Sequence, residues 1–168
     1  MTPEAAADTD AAAVTDVVNA AYRQAESSFH AGPRTTVEEV RARLSKGTFL
    51  LARGDSGLDG CVYVEANGAR GYLGMLAVSP RCQGAGLGPR LVRAGEDHLR
   101  GRGVERLEID VISLRGELFA FYERLGYRVT GTRPFEDPRL LRPVHLVVME
   151  KALVAQDDTK DSSRPSTR

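Results

Sequence analysis

The chain has 168 residues, 42% of them hydrophobic and 27% charged, a balance that supports a buried core and argues against wholesale disorder. Lys and Arg total 23 and so do Asp and Glu, giving zero net charge, which counts against sequence-independent nucleic-acid binding because that needs a basic surplus. No apolar stretch approaches the roughly 20 residues that cross a bilayer, and the two cysteines, Cys61 and Cys82, with three scattered histidines, His30, His98 and His145, imply neither a disulfide framework nor a metal site.

The start of the chain, through Asp16, is rich in Ala and Asp. It lacks a basic opening and a Leu-rich centre, so it does not read as a signal peptide, and a cytoplasmic protein is expected. Val14, Val17, Val18, Ala21 and Tyr22 recur at helical spacing and predict a helix over 9–25, with Asp8 or Thr9 as N-cap. A loop from Ser27 to Thr36 follows. Thr36 and Glu39 form a capping-box pattern that opens a short helix through Val37, Val40 and Leu44, ended by Gly47.

Strand patterns come next. Thr48 to Arg53 is one run, and Asp55 to Gly60 reads as a turn. Cys61 to Ala66 alternates, with Val62 and Val64 on one face and Cys61, Tyr63 and Glu65 on the other. Asn67-Gly68 is a hairpin signal leading into Arg70 to Val78. These three strands predict an antiparallel meander.

A Gly-rich connection, Ser79 to Gly88, leads into a helix that runs to about Arg100. Its apolar face carries Leu87, Leu91, Val92, Gly95 and Leu99. Arg90, Arg93, Glu96, Asp97 and Arg100 are assigned to the solvent face. A strand over Glu105–Ile112, a short helix over Gly116–Leu125, and strands over Tyr127–Arg133 and Val144–Lys151 complete the pattern. The order predicts a mixed α+β sheet with one β-α-β unit, Arg70–Ile112. Residues 1–153 form the expected domain, and 154–168 an expected disordered polar tail.

Pro80-Arg81-Cys82-Gln83-Gly84-Ala85-Gly86-Leu87-Gly88 joins a strand to a helix. Glycine permits a tight turn and close backbone approach, and the first amides of the helix have no intrahelical partner. Together these make an anion site suited to a pyrophosphate, with a plain glycine-rich turn as the alternative. The absence of Gly-Lys-Ser/Thr removes a P-loop. A dinucleotide site stays open through Glu108, 20 residues beyond Gly88, but Pro89 occupies the place of its third glycine and three antiparallel strands precede it.

Gln83-x-x-Gly86-x-Gly88 resembles the acyl-CoA pyrophosphate motif of the GNAT superfamily of acyl-CoA-dependent N-acyltransferases. Leu76-Ala77-Val78-Ser79-Pro80 looks like the strand before it, and Phe121-Tyr122-Glu123-Arg124-Leu125-Gly126-Tyr127 like the family's later helix. The resemblance spans roughly 70–135. It implies a mostly antiparallel GNAT-like sheet flanked by helices, with acetyl-CoA as co-substrate and no metal. It also implies acetyl transfer to a primary amine of a small molecule or peptide by direct attack, with no nucleic-acid or membrane partner; a homodimer is left open.

On this resemblance the backbone of Leu76, Ala77 and Val78 would bond the pantetheine arm like an added strand. Gln83, Gly84, Ala85, Gly86, Leu87, Gly88 and Arg90 would hold the pyrophosphate, less the N–H that Pro89 lacks. Arg81 would add charge to the phosphates or simply be solvated. Two parallel strands would part to admit the thioester between Val78 and Val111. Arg115 and Leu118 stand where the family often has Asn and Ala, and a non-catalytic acyl-CoA-binding module is the alternative they support.

Tyr122 is the expected proton donor to the departing thiolate, or else a member of the apolar stripe with Leu118 and Leu125. Glu65, Glu108, Asp110, His145 and a water molecule remain alternatives for the base. The acceptor's walls are expected from Phe29–Thr36 and Arg133–Val144, where Arg133, Arg139 and Arg142 suggest an anionic acceptor or a solvated loop.

Overall fold

The computed structural model describes residues 2–153; the tail expected to be disordered, 154–168, lies outside them. Seven strands form one sheet. They are β1 (Glu4–Ala5), β2 (Thr48–Gly54), β3 (Gly57–Asn67), β4 (Arg70–Val78), β5 (Arg106–Ile112), β6 (Arg128–Pro134) and β7 (His145–Ala152). Their order across the sheet is β1-β2-β3-β4-β5-β7-β6. Only β4 and β5 pair in parallel, and a helical crossover joins them, as parallel neighbours require. The chain is thus mixed α+β with a mostly antiparallel sheet.

Strand β3 shows why helices cover both faces. Its Val62 and Val64 pack with Leu91, Val92 and Leu99 of α3 (Leu87–Arg100). Its Cys61 and Tyr63 pack with Val14, Val17 and Val18 of α1 (Ala11–Glu26) and Val40 of α2 (Val37–Leu44). Period-two alternation therefore feeds two cores, one on each side of the sheet. The short α4 (Gly116–Arg124) places Tyr122 in the α3-side core. No helix among the described residues is long and apolar enough to cross a membrane.

The capping box that opens α2 is present: the Glu39 N–H donates to Thr36 Oγ1 at 3.2 Å, and the Thr36 N–H donates to Glu39 Oε2 at 3.1 Å. Three expectations are corrected. The turn after β2 is shorter than 55–60, because Gly54 already pairs with Gly57 and leaves only Asp55-Ser56 between the strands. Gly60 lies inside β3; a Cβ there would stand 2.8 Å from the Ala77 carbonyl oxygen, so close packing rather than turning requires glycine. Strand β1 has no counterpart in the pattern, since two residues are too few to show alternation.

The third correction concerns Glu96, assigned to solvent but only 5% exposed. It sits at the edge of the apolar face of α3, one turn after Val92. Lys151 Nζ donates to both its oxygens, at 2.8 and 2.9 Å, and the Tyr127 hydroxyl donates to Oε1 at 2.9 Å. A buried carboxylate requires this pairing.

Candidate active site

The parallel pairing of β4 with β5 runs from Arg70↔Arg106 to Leu73↔Ile109 and ends there. Strand β5 stays paired with β7 as far as Ile112↔Leu146. Strand β4 instead bulges: its register against β3 slips by one residue, and Met75 adopts φ +49°, a left-handed conformation uncommon for a side-chain-bearing residue. The parting opens a cavity of about 610 Å³ whose walls include Leu76 of β4, Asp110 and Ile112 of β5, Tyr22 of α1, and Leu118 and Tyr122 of α4.

The Gly-rich connection lies beyond the end of β4 and does not line this cavity. Gly84 and Gly86 hold φ +80° and +78°, with nothing within 4 Å of where a Cβ would stand. Gly86 is the N-cap of α3, so the helix's first amides, those of Leu87 and Gly88, follow it directly, with Pro89 contributing none. An open, left-handed turn ahead of a 14-residue helix suits a pyrophosphate. Gln83 Nε2 donates to the Val78 carbonyl at 3.3 Å, which ties the loop to the strand. Ala85 and Arg90 are exposed. Arg81 pairs with Asp59 at 3.0 Å on the surface.

Burial displaces several of the ionisable groups that line the cavity. Burial raises the Asp110 pKa from its ordinary value; Arg133 opposes the shift and Glu108 adds to it. Asp110 Oδ1 is buried without a hydrogen bond, although Arg133 Nε lies 3.4 Å away. Burial also pushes Tyr122 far above its ordinary value and does the same to Tyr22. The Tyr122 ring is held edge-on between Phe121 and Tyr127, with centroids at 4.9 and 5.6 Å. The Tyr63 hydroxyl donates to Glu65 Oε2 at 2.7 Å, which leaves Glu65 engaged. Glu108, bonded by Arg133 and 3.5 Å from Arg70, is outside the cavity, as is His145. Of the four side chains considered as base, Asp110 and Glu65 alone line it.

The two loops expected as walls do meet. The Ala31 N–H donates to the Arg139 carbonyl and the Leu141 N–H to the Phe29 carbonyl, both at 2.8 Å. Arg34 and Thr35 from one loop, and Phe135, Asp137 and Arg139 from the other, line the cavity, while Arg133 and Arg142 do not. Arg139 is not a free reader of anions. It grips Asp137 through Nε at 2.9 Å and Nη2 at 2.8 Å, and it reaches the Pro33 carbonyl at 3.2 Å and Glu39 at 3.3 Å. Its charge closes the loops on one another, and Asp137 is held well below the usual carboxylate range by it. The Arg139 reading from sequence is corrected accordingly.

Sequence reasoning missed the α1 wall. Tyr22 and Glu26, one turn apart on α1, both line the cavity, and so do Arg34 and Arg115. The i,i+4 spacing of a tyrosine and a glutamate at the end of a helix was the available signal. Arg115 at 3.3 Å and Arg34 at 3.2 Å both approach the buried Glu26 carboxylate.

Comparison with known proteins agrees with this geometry. The model of the acetyltransferase (GNAT) family matches residues 14–127. The mycothiol acetyltransferase of Propionibacterium freudenreichii is 33% identical over 107 residues, which are 58% of this chain and 34% of that protein; the chain thus spans about a third of that relative's length. Among solved structures, the ribosomal-protein-S18-alanine N-acetyltransferase of Escherichia coli superposes with TM-score 0.74 at 21% identity, covering 94% of this chain and 97% of that one. The Salmonella typhimurium protein yncA, solved with its cofactor acetyl-CoA, gives TM-score 0.71 at 22% identity, covering 92% and 94%. At these identities the structures establish the shared fold.

Proposed function

The chain belongs to the GNAT acetyltransferase family, and from that premise we propose that it transfers the acetyl group of acetyl-CoA to a primary amine of a small molecule or peptide. The observation that carries this reading is the ending of β4–β5 pairing at Leu73↔Ile109. Beyond it the backbone of Leu76, Ala77 and Val78 has no strand partner on that side, and a pantetheine arm can bond there as an added strand. The thioester end then reaches the cavity wall formed by Leu76 and Tyr122, while the pyrophosphate sits on the Gln83–Arg90 turn.

Chemistry follows from the groups around that point. The acceptor arrives as an ammonium and must lose a proton before its nitrogen can attack the thioester carbonyl carbon. Asp110, buried and without a hydrogen bond to Oδ1, is the group to take it, directly or through one water. The carbon–nitrogen bond forms, the carbon–sulfur bond breaks, the thiolate accepts the Tyr122 proton, and the second proton of the attacking nitrogen is lost through water to restore the Tyr122 phenol. Burial raises the pKa of that phenol above its ordinary value, so it carries its proton when the thiolate forms. Cys61 is no nucleophile, since burial pushes its thiol up to about 12.

A thiol-release assay with acetyl-CoA and a panel of amines tests the reading. Amine-dependent release of free CoA is expected, with the acetylated amine as product. CoA binding without release from any amine would leave only an acyl-CoA-binding module.

A further inference from the structure

Resting on the acetyl-transfer reading, we propose that the acceptor carries an anionic group, a carboxylate or a phosphate, on a short tether from its amine, and that Arg34 and Arg115 read it. The two guanidiniums stand over the Tyr22 ring, 5.7 and 5.8 Å from its centroid, and Arg34 is also 5.7 Å from the centroid of Phe135. At that distance the ring faces attract both cations, and a guanidinium is the side chain suited to two-point recognition of a carboxylate or phosphate. Their side chains are only 20% and 14% exposed, so they are desolvated before any ligand arrives.

Charge at this point does not balance. Glu26 is the one buried carboxylate between the two arginines, with 4% of its side chain exposed. Burial raises its pKa while both arginines pull it down, so it offsets at most one of the two cations. Glu117, the other partner of Arg115, is 62% exposed and solvent-screened. The hydrogen bonding is also incomplete. Glu26 Oε2 and Arg34 Nε are both buried and neither makes a hydrogen bond, although they lie 3.2 Å apart. No hydrogen bond from the terminal nitrogens of Arg34 to another described residue accompanies this pair.

Arg139, Arg133 and Arg115 each pair with two carboxylates, whereas Arg34 pairs, among the described residues, with the Glu26 that it shares with Arg115. Excess positive charge, desolvated and facing a cavity, is an anion site in need of its anion.

Its location sets the tether. The Tyr22 hydroxyl bonds the Leu76 carbonyl at 2.8 Å, and Leu76 stands where β4 has left β5. The anion site is therefore about one tyrosine ring from the point where amine and thioester meet. An amine and an anion separated by a few bonds, as in an amino acid or an aminoalkyl phosphate, would span that gap.

The experiment compares matched acceptors: an amino acid, its carboxamide, its decarboxylated amine and an aminoalkyl phosphate. Thiol release is measured with acetyl-CoA saturating. The anionic acceptors should show a KM lower by about 10- to 100-fold than the neutral ones, the range expected of a charge-assisted hydrogen bond, and the two anionic members decide between carboxylate and phosphate. Arg34→Gln and Arg115→Gln should raise the KM of the anionic acceptor to that of its carboxamide. Arg34→Lys keeps the charge without the fork and should retain part of the preference, which guards against misfolding of the Gln variants.

Equal KM values across the set would overturn the anion site and leave acetyl transfer standing. So would a preference abolished by Arg43→Gln, at another arginine that lines the cavity, and unaffected at Arg34 and Arg115. Thiol release from no acceptor would overturn acetyl transfer instead. Calorimetric binding of the amino acid or phosphate to the acetyl-CoA-loaded protein, lost in Arg34→Gln, would then support the anion site on its own, and no such binding would overturn both.

Discussion

The Tyr22 hydroxyl and the Leu76 carbonyl are joined by a 2.8 Å hydrogen bond across 54 residues of sequence. That contact pins α1 to β4 just after the bulge at Met75 and occupies one of the backbone acceptors left over when β4 stops pairing with β5. It also places the Tyr22 ring beneath two guanidiniums on one side of the reaction centre. One side chain thus connects the strand edge, the acceptor cavity and the helix that walls it.

Tyr22→Phe should keep the ring and its stacking while removing the bond. A net loss of about 0.5–1.5 kcal/mol is expected for one such hydrogen bond, read as a lower denaturation midpoint with an unchanged slope. Turnover should change less than in a Tyr122 variant, since Tyr22 donates to the backbone and to no reacting atom. Undiminished stability would mean that water replaces the contact without loss.

Gly86→Val tests the turn. A Cβ at this position would meet nothing within 4 Å, so the effect comes through backbone conformation: φ +78° costs a branched residue about 1–2 kcal/mol, and relaxing it would reorient the first amides of α3. CoA at about 100 times its dissociation constant should stabilise the wild type by roughly 2.7 kcal/mol. That increment should vanish in the variant, while the ligand-free protein still melts cooperatively. A CoA-induced melting shift of undiminished size would remove the pyrophosphate from this loop.

Local signals made much of this legible in sequence. Asn67-Gly68 and the two-faced alternation of β3 specify the meander, and the spaced glycines ahead of α3 specify an open turn. What escaped was carried by distant pairs. Arg115 meets Glu26 across 89 residues, and Arg139 meets Glu39 across 100. No periodicity within one element can reveal such partners. The same reason explains why Arg139, read as a free cation, is a loop clasp, and why Glu96, read as solvated, is buried: its partners Tyr127 and Lys151 come from elements formed much later in the chain. Asp110 was indistinguishable from Glu108 two residues away until β4 and β5 parted beside one of them.

Asp110→Asn should separate activity from stability. The folded-state pKa of Asp110 is raised by burial from its ordinary 3.8. Its contribution to stability is therefore fully present below that ordinary value and is lost as pH rises through the raised one. At neutral pH the wild type holds a partly unsatisfied buried carboxylate, which the Asn variant avoids. The variant should melt at an equal or higher temperature at pH 7, with its advantage disappearing in acid. Activity runs the opposite way: the wild-type kcat/KM should rise with pH through the raised pKa as the base ionises, and the variant should lose that limb along with most of its turnover. A retained rising limb would assign the base to another group.

Tyr122→Phe removes one oxygen from a ring that is 6% exposed and held edge-on between Phe121 and Tyr127. Packing should barely change, so stability and CoA affinity should stay near wild type. Turnover should fall, because the thiolate that leaves when the carbon–sulfur bond breaks has lost its donor. General acid catalysis contributes about 10²–10⁴-fold, and water entering the cavity would recover part of it, so a loss of about tenfold or more is required. The pH profile adds a second readout. The Tyr122 phenol is held protonated far above its ordinary range, so the wild type should show no falling limb from this group below about pH 10. The Phe variant should keep the rising limb set by Asp110 while its plateau drops. Replacing acetyl-CoA with an acetyl thioester whose thiol is more acidic should restore turnover in the variant more than in the wild type, since a better leaving group depends less on a proton. A variant that remains fully active, with no greater response to the leaving group, would return Tyr122 to packing alone.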